Sequence, residues 1–329
     1  MNRKSFHKNV ERLVDPISVG TIHFIQGFNK LLPKPIQQKI VEASGKKTSS
    51  MGFIVEPYAT FLCYEIIDTE KAKAFLPNGF ELVKTKIFDD DEPKYYAIFG
   101  CFRAHTSAFW GLRNEFYILA EDQKTKMLSW IIVDYDSDTI SYDKYSGLRS
   151  PNASGAVMTT TCNGDVIVDI KNKELGRELE FDVNLKDGQQ TKLDQRLWLE
   201  GNLSIGYGKV LSKGSADIFS LKFDPCEVRV ALQISLDKLN LASNTWYPGM
   251  LADKPSQVAC FPFAQHFISD SPGFSSNLKN LEELKSAVSK LDFSKIKVFS
   301  TDSFRTMMLL SGAFSALIII VLLLLLIYI

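Results

Sequence analysis

The body of the chain alternates apolar and polar residues with a period of two, and this pattern limits the fold more than any other feature. The clearest run places Leu179, Phe181, Val183 and Leu185 between charged or polar residues. The runs over 219–223 and 226–232 repeat the pattern. Period-two alternation is typical of antiparallel strands with one buried face. The sequence therefore predicts a mainly β (α+β) domain over 51–270, built as a closed antiparallel barrel-like sheet with peripheral helices.

Local signals place turns and one helix within this body. Asn163-Gly164 separates two strand-like runs and predicts a tight hairpin, and Asp187-Gly188 predicts a second one. Asp68 precedes a helical segment over 69–76 as a candidate N-cap, and Pro77-Asn78-Gly79 follows it as a stop signal.

The C-terminal run 307–329 contains no charged residue. At about 1.5 Å per residue it would extend roughly 35 Å as a helix, enough for a bilayer core of about 30 Å. The flanking cations Lys285, Lys290, Lys295, Lys297 and Arg305 all precede it. Because positive flanks stay cytoplasmic, we expect a single-pass C-terminal anchor that contacts membrane lipid, with the globular domain in the cytosol.

Two further segments flank the body. Residues 1–50 are expected to form a helical leader, in which the stretch 17–40 either lies in the membrane interface or packs on the domain. Residues 271–306 are expected to be a connector helix with an apolar stripe of Leu278, Leu281, Leu284, Val288 and Leu291. The stripe could face the domain, a partner helix or lipid, and packing on the domain is the default.

Composition and motifs exclude several functions. The formal net charge is +0, whereas nucleic-acid binding normally requires a basic excess, so no nucleic-acid partner is expected. The 5 cysteines are odd in number and widely spaced, which favours buried reduced thiols. No phosphate loop, dinucleotide fingerprint, nucleophile elbow or zinc-finger spacing is present, and we predict neither cofactor nor metal ligands.

Three blocks of the body resemble the acetoacetate decarboxylase-like family in order and spacing. They are the segment 64–82 with its Leu76-Pro77 step, the segment 134–147, and the segment 219–241. The resemblance covers about 51–270. It implies a closed antiparallel barrel around a small-molecule cavity, and a Schiff base between a buried lysine and a β-keto acid.

The resemblance assigns two catalytic positions. Lys144 matches the Schiff-base lysine, and Glu115 matches one of two cavity acids, while Phe99 stands near the other. Two positions depart from the family pattern. Tyr145 replaces the second lysine that would lower the pKa of the first, and the segment 54–58 lacks the family's arginine.

The aromatic residues Phe99, Trp110, Tyr142 and Tyr145 are the predicted ligand-binding positions, since small-molecule sites are mostly apolar. The favoured hypothesis is a binding domain for a small apolar or keto-acid ligand, with decarboxylase chemistry altered or lost. An active Schiff-base lyase using Lys144 and a non-catalytic membrane adaptor acting through its helices remain alternatives. An oligomer is compatible with all three.

Overall fold

The computed structural model describes residues 3–17, 19–20, 33, 50–106, 109–139, 141–143, 147–149, 151–212, 217–270, 277–296, 309 and 320. In chain order its strands are β1 (Ser50–Val55), β2 (Ala59–Glu65), β3 (Phe80–Leu82), β4 (Lys84–Thr85), β5 (Lys94–Thr106), β6 (Trp110–Asp122), β7 (Leu128–Ser137), β8 (Ser141–Asp143), β9 (Gly147–Arg149), β10 (Gly155–Thr160), β11 (Asp165–Asn172), β12 (Arg177–Asn184), β13 (Gln189–Lys192), β14 (Ile205–Tyr207), β15 (Leu221–Phe223), β16 (Val230–Ile234), β17 (Leu239–Asn244), β18 (Gln257–Phe261) and β19 (Gln265–Asp270). The predicted mainly β class is confirmed.

In the described part of the chain, the helices are few and lie at the periphery of the sheets. They are α1 (Arg3–Leu13), α2 (Thr69–Phe75) and α3 (Leu281–Ser289), with a π-helix over Arg196–Glu200 that continues into one α-helical turn, Gly201–Leu203. The predicted start of α2 is confirmed, because the Asp68 carboxylate accepts a hydrogen bond of 3.0 Å from the Lys71 backbone N–H. In α3, Leu284 is fully buried in the chain's own core, so the apolar stripe of this segment faces the domain.

A 13-stranded sheet forms the body, along the path β13-β16-β18-β2-β5-β1-β19-β15. Off this path, β6 pairs with both β5 and β7, and β14 pairs in parallel with β7. Strands β2 and β1 share one edge of β5, since β2 pairs with its first half and β1 with its last three residues.

The expected closed barrel is wrong. The sheet is not closed, because β13 and β15 stand at the two ends of the path and, within the described residues, do not pair with each other. The shared edge of β5 gives the physical reason. Two different strands use its hydrogen-bonding groups in turn, so the sheet branches instead of forming one continuous ring.

A 4-stranded antiparallel sheet, β10-β11-β12-β17, packs against one face of the large sheet. Its buried side chains include Leu179, Phe181 and Val183 from the alternating run that the sequence indicated, together with Val166 and Val168 of β11.

The hairpin predicted at Asn163-Gly164 is present, since β10 and β11 pair across it up to Thr160 and Val166. The connection is longer than the predicted two residues, because residues 161–165 separate these paired positions. Gly164 has a φ of +86° in this turn, a conformation that glycine adopts without strain.

Two local predictions are corrected. Asp187-Gly188 does not join a hairpin, because β12 pairs with β11 and β17 while β13 pairs with β16. The strand predicted over 226–232 begins only at Val230, since Pro225–Val228 is a 3-10 helix capped by Asp224. A proline in the first turn and a capping aspartate before it both favour a helix start.

The two faces of the large sheet carry different cores. The inner face, as we name the side of Phe61, Phe102, Tyr117 and Trp130, also holds Leu284 of α3. The opposite face, with Phe99 and Phe116, packs against the 4-stranded sheet. Predicted site residues that lie on opposite faces of the large sheet cannot contact each other.

The expected membrane anchor is not supported, and we correct it. In the described part of the chain, no helix combines the length and the apolarity needed to cross a bilayer. Of the run 307–329 only Leu309 and Ile320 are described, and most of the stretch 17–40 also lies outside the described residues. The single-pass cytosol-facing topology that was built on this anchor is withdrawn with it.

Candidate functional site: a buried Arg-Glu-Tyr cluster

Strand β6 brings three polar side chains to the inner face of the large sheet. Arg113, Glu115 and Tyr117 occupy alternate positions, so their side chains share one side of the strand. Each is 8% exposed. Because β6 lies between β5 and β7, both edges of the strand are paired and the three positions are held rigidly.

Glu115 is the centre of this group, which we call the Arg-Glu-Tyr cluster. The Arg113 Nε donates a hydrogen bond of 2.7 Å to Glu115 Oε1, and Arg113 Nη2 lies 2.6 Å from the same oxygen. The Tyr117 hydroxyl donates to the other carboxylate oxygen, Oε2. The carboxylate is therefore engaged on both oxygens, while Arg113 Nη1 carries two further N–H donors.

Burial and charge act together on the titration of the cluster. Burial alone lowers the pKa of the Arg113 guanidinium, but the adjacent Glu115 carboxylate raises it, and the net direction is upward. The pKa of the Tyr117 hydroxyl is raised well above its ordinary value, first by burial and then by the negative charge of Glu115. At neutral pH the cluster holds a charged guanidinium and a protonated phenol.

Aromatic rings surround the guanidinium. The Arg113 Cζ lies 4.6 Å from the ring centroid of Tyr135 and 5.8 Å from that of Phe109. Phe102 and Trp130 belong to the same buried group of side chains. The site thus combines one cation, one carboxylate and a largely aromatic surface, a composition typical of sites for small organic molecules.

The other predicted site residues do not join this cluster. Phe99 is fully buried on the opposite face, against Tyr64, Phe116 and Trp246. Trp110 is 47% exposed, and its indole N–H donates to Glu56 Oε1 at 3.2 Å. The predicted gathering of Phe99 and Trp110 around Glu115 is therefore not observed.

The remaining three predictions concern one segment that is described only in part. The backbone of Tyr142 lies in β8, which pairs with β9. Lys144 and Tyr145 lie outside the described residues. The assignment of Lys144 as a Schiff-base lysine stays a prediction.

Sequence reasoning missed Arg113, Tyr117 and Tyr135 as members of the site. A signal was present, because Arg113, Glu115 and Tyr117 are spaced i, i+2 and i+4 in a strand-like stretch. This spacing places three polar groups on one side. It does not show which side is buried, and Tyr135 comes from the neighbouring strand.

A second buried charge cluster lies on the opposite face and links the two sheets. Arg177 of β12 forms ion pairs with Asp134 and Asp136 of β7, and its guanidinium lies 4.0 Å from the Trp246 ring centroid. Asp136 Oδ1 also accepts hydrogen bonds from Asn172 and Asn152. Its many partners within the protein give this cluster a structural role in joining the sheets.

Two groups among the described residues have metal-ligand composition. His7, Glu227 and His266 form the first, and Asp169, Glu178 and Glu180 form the second. The second group surrounds Lys171, whose Nζ lies 3.2, 3.0 and 3.5 Å from its three carboxylates. A lysine ammonium already contacts all three carboxylates of that group, whereas the first group contains no lysine or arginine.

No protein-family model matches the chain, and no curated protein sequence matches it. Among solved structures, acetoacetate decarboxylase from Legionella pneumophila subsp. pneumophila is similar with a TM-score of 0.45 and 13% identity. The similarity covers 68% of this chain and 86% of that chain. This distant likeness of fold does not show the family, so the expected family resemblance stays a prediction.

Proposed function

We propose that this protein binds a small organic acid, with an apolar or keto-bearing tail, on the inner face around Arg113. The observation that carries the proposal is the buried Arg-Glu-Tyr cluster in aromatic surroundings. The acid's carboxylate would take the donors of Arg113 Nη1, and its tail would lie among Phe109, Phe102 and Tyr135.

The energetics of burial support a functional reading of the cluster. Removing charged groups from water costs several kcal/mol per ion, and a buried ion pair is often no more stabilising than apolar side chains of similar volume. Packing alone therefore does not require Arg113 and Glu115 on an aromatic face. Buried charge partners with shifted pKa values concentrate at functional sites.

The composition of the cluster favours an anionic ligand. Glu115 neutralises Arg113, but it engages only Nε and Nη2 of the guanidinium. A planar guanidinium with further donors is well suited to a carboxylate. The Tyr117 hydroxyl donates to Oε2 of Glu115, so this oxygen does not compete with the ligand's carboxylate for the guanidinium.

Binding does not depend on Lys144, which would be needed only for covalent chemistry. Two sequence departures, Tyr145 and the segment 54–58, favour binding without decarboxylation. We therefore propose a binding domain whose decarboxylase chemistry is altered or lost.

Calorimetric titration of the full chain with acetoacetate, 4-oxopentanoate and hexanoate tests the proposal. We expect saturable binding of at least one acid, weakened about tenfold or more in Arg113→Lys, which keeps the charge but loses the planar fork. The matched control is Arg103→Lys, because Arg103 lies on β5 and bonds a backbone carbonyl, that of Met158. The proposal fails if the folded protein binds none of the three acids, or if Arg113→Lys binds as tightly as the parent chain.

A further inference from the structure

Three distant parts of the chain meet at a group of nitrogen and oxygen atoms on the side of the sheet that α1 covers. His7 comes from α1, Glu227 from the 3-10 helix Pro225–Val228, and His266 from β19. Their ligand atoms all lie within 4.8 Å of one another. Glu227 Oε1 is the common centre, 3.2 Å from His7 Nε2 and 2.7 Å from His266 Nδ1.

The side chains around these atoms fix their orientation. The His266 backbone N–H donates 2.8 Å to Glu227 Oε2, so the other oxygen, Oε1, points toward the imidazoles. The two imidazole rings are stacked, with centroids 4.8 Å apart and an interplanar angle of 27°. Glu227 and His266 are each 8% exposed, so two of the three side chains are held in the protein interior.

A second carboxylate stands beside each histidine. Asp224 Oδ2 lies 3.6 Å from His7 Nε2, and Glu11 Oε1 lies 3.1 Å from His266 Nε2. With neutral imidazoles, the carboxylates of Glu227 and Glu11 bring two negative charges to two stacked rings. Among the described residues no lysine or arginine ion pair reaches Glu11 or Glu227.

The Nε2 nitrogen of His7 independently indicates that this group of atoms can hold a cation. His7 Nε2 is buried and makes no hydrogen bond to any described residue, although the carboxylates of Glu227 and Asp224 both lie within 4 Å. A buried nitrogen without a hydrogen bond is costly. A cation bound between the nitrogen and the carboxylates removes that cost.

We propose that His7, Glu227 and His266 bind a divalent transition-metal ion, with zinc as the best fit. Imidazole and carboxylate are preferred zinc ligands at about 2.0–2.2 Å, and four-coordinate sites are tetrahedral. Ligand atoms in such a site are about 3.4 Å apart. The separation of 3.2 Å between His7 Nε2 and Glu227 Oε1 is close to this value, and the 2.7 Å contact to His266 Nδ1 would open by about 0.7 Å.

The surrounding groups complete a zinc site. With the metal on His266 Nδ1, the proton resides on Nε2 and is donated to Glu11, which is the carboxylate–histidine–metal arrangement found around bound zinc. Asp224 supplies the fourth ligand or holds a bound water. The site would clamp α1 onto the sheet, beside the apolar contacts of Phe6 and Val10 with Ile54 and Ile268.

Metal counting on the full chain tests the proposal. After a chelator has removed bound metal, the protein is titrated with zinc and then with cobalt(II), whose visible absorption reports tetrahedral coordination. Bound metal is counted by mass spectrometry after gel filtration. We expect one equivalent per chain, lost in His7→Ala and in His266→Ala, and bound about tenfold more weakly in Glu11→Gln.

His105→Ala is the matched control, because His105 pairs with a carboxylate, Glu56, in a pair outside the proposed site. It should keep the full equivalent. His7 is one-third exposed on a peripheral helix, so circular dichroism is expected to show His7→Ala folded. A folded parent chain that takes up no zinc or cobalt would overturn the proposal, and so would an unchanged equivalent in His7→Ala.

Discussion

Arg113 and Glu115 stand two positions apart on β6, and their side chains meet in a buried ion pair with Nη2 and Oε1 2.6 Å apart. The pair lies on the inner face among aromatic rings, and Tyr117 donates to the second carboxylate oxygen. The side chains of Arg113 and Tyr117 thus both bond to Glu115, which makes this residue the most sensitive position in the cluster.

Glu115→Gln is therefore expected to destabilise the protein. The substitution keeps the shape of the side chain but leaves the Arg113 charge buried without a partner, which costs about 3–5 kcal/mol. Urea unfolding followed by circular dichroism measures the change. The control Glu70→Gln removes an exposed ion pair with Lys73 and should leave the midpoint unchanged. Equal midpoints for the two variants would show that Glu115 is not essential to the cluster.

Asp136 should make stability depend on pH in a definite direction. Burial raises the pKa of Asp136 in the folded state, and the hydrogen bonds from Asn172 and the charge of Arg177 only partly offset this. Between the unfolded value of about 3.9 and the higher folded value, the folded protein binds more protons. Lowering the pH through the folded pKa toward 3.9 therefore adds stability through this group, and raising the pH removes it.

The measurement compares the parent chain with Asp136→Asn, in which the group cannot titrate. Urea unfolding is repeated from neutral pH down to about 4, and the difference in unfolding free energy is plotted against pH. We expect the parent chain to gain stability relative to the variant as the pH falls. A flat difference, or a gain on the alkaline side, would contradict the raised pKa.

Gly201 should tolerate no side chain. A Cβ at this position would overlap Trp130 Nε1 and Trp130 Cδ1, and that indole N–H donates to the Leu197 carbonyl at 2.9 Å. Gly201→Ala must displace a buried ring, at a cost of about 1–3 kcal/mol. Gly155→Ala is the control, since nothing lies within 4 Å of its Cβ. Thermal unfolding of the two variants should differ, and matching curves would refute the close contact.

Borohydride reduction in the presence of acetoacetate tests the role of Lys144. Because Tyr145 stands where the resembling family has a second lysine, nothing adjacent in sequence lowers the amine pKa, and we expect no adduct by mass spectrometry. Lys144→Met is the control for reaction at other lysines. A stable adduct on the parent chain that is lost in this variant would support the active lyase instead.

Local elements were predictable because their signals are contained in a few neighbouring residues. Asp68 caps α2 and Gly164 closes the β10–β11 hairpin, as their sequence contexts indicated. The Asp187-Gly188 prediction failed because strand partners are chosen by distant packing. Strand β12 lies between β11 and β17, so no edge of it is available to β13.

The two candidate sites could not be predicted in full for the same reason, since they depend on contacts between distant parts of the chain. Alternation on β6 would have placed Arg113 and Tyr117 beside Glu115. It does not show that Tyr135 lies on the same face of the sheet, or that Phe99 lies on the opposite face. His7 and His266 lie in separate parts of the chain without any motif spacing. Only the docking of α1 beside β19 brings them together.

The pairing of β1 with β19 also constrains the order in which the chain can fold during synthesis. Strand β1 emerges from the ribosome early and can pair with the last residues of β5, but its other edge is matched over six positions by β19, which is made last among the strands. Until β19 has been made, the backbone N–H and C=O groups of Met51 and Phe53 on that edge have no strand to pair with. Such late, long-range pairing slows folding and leaves an unpaired edge that can join another chain. Ribosome-bound chains halted before Gln265 should therefore be more prone to aggregate than the complete body.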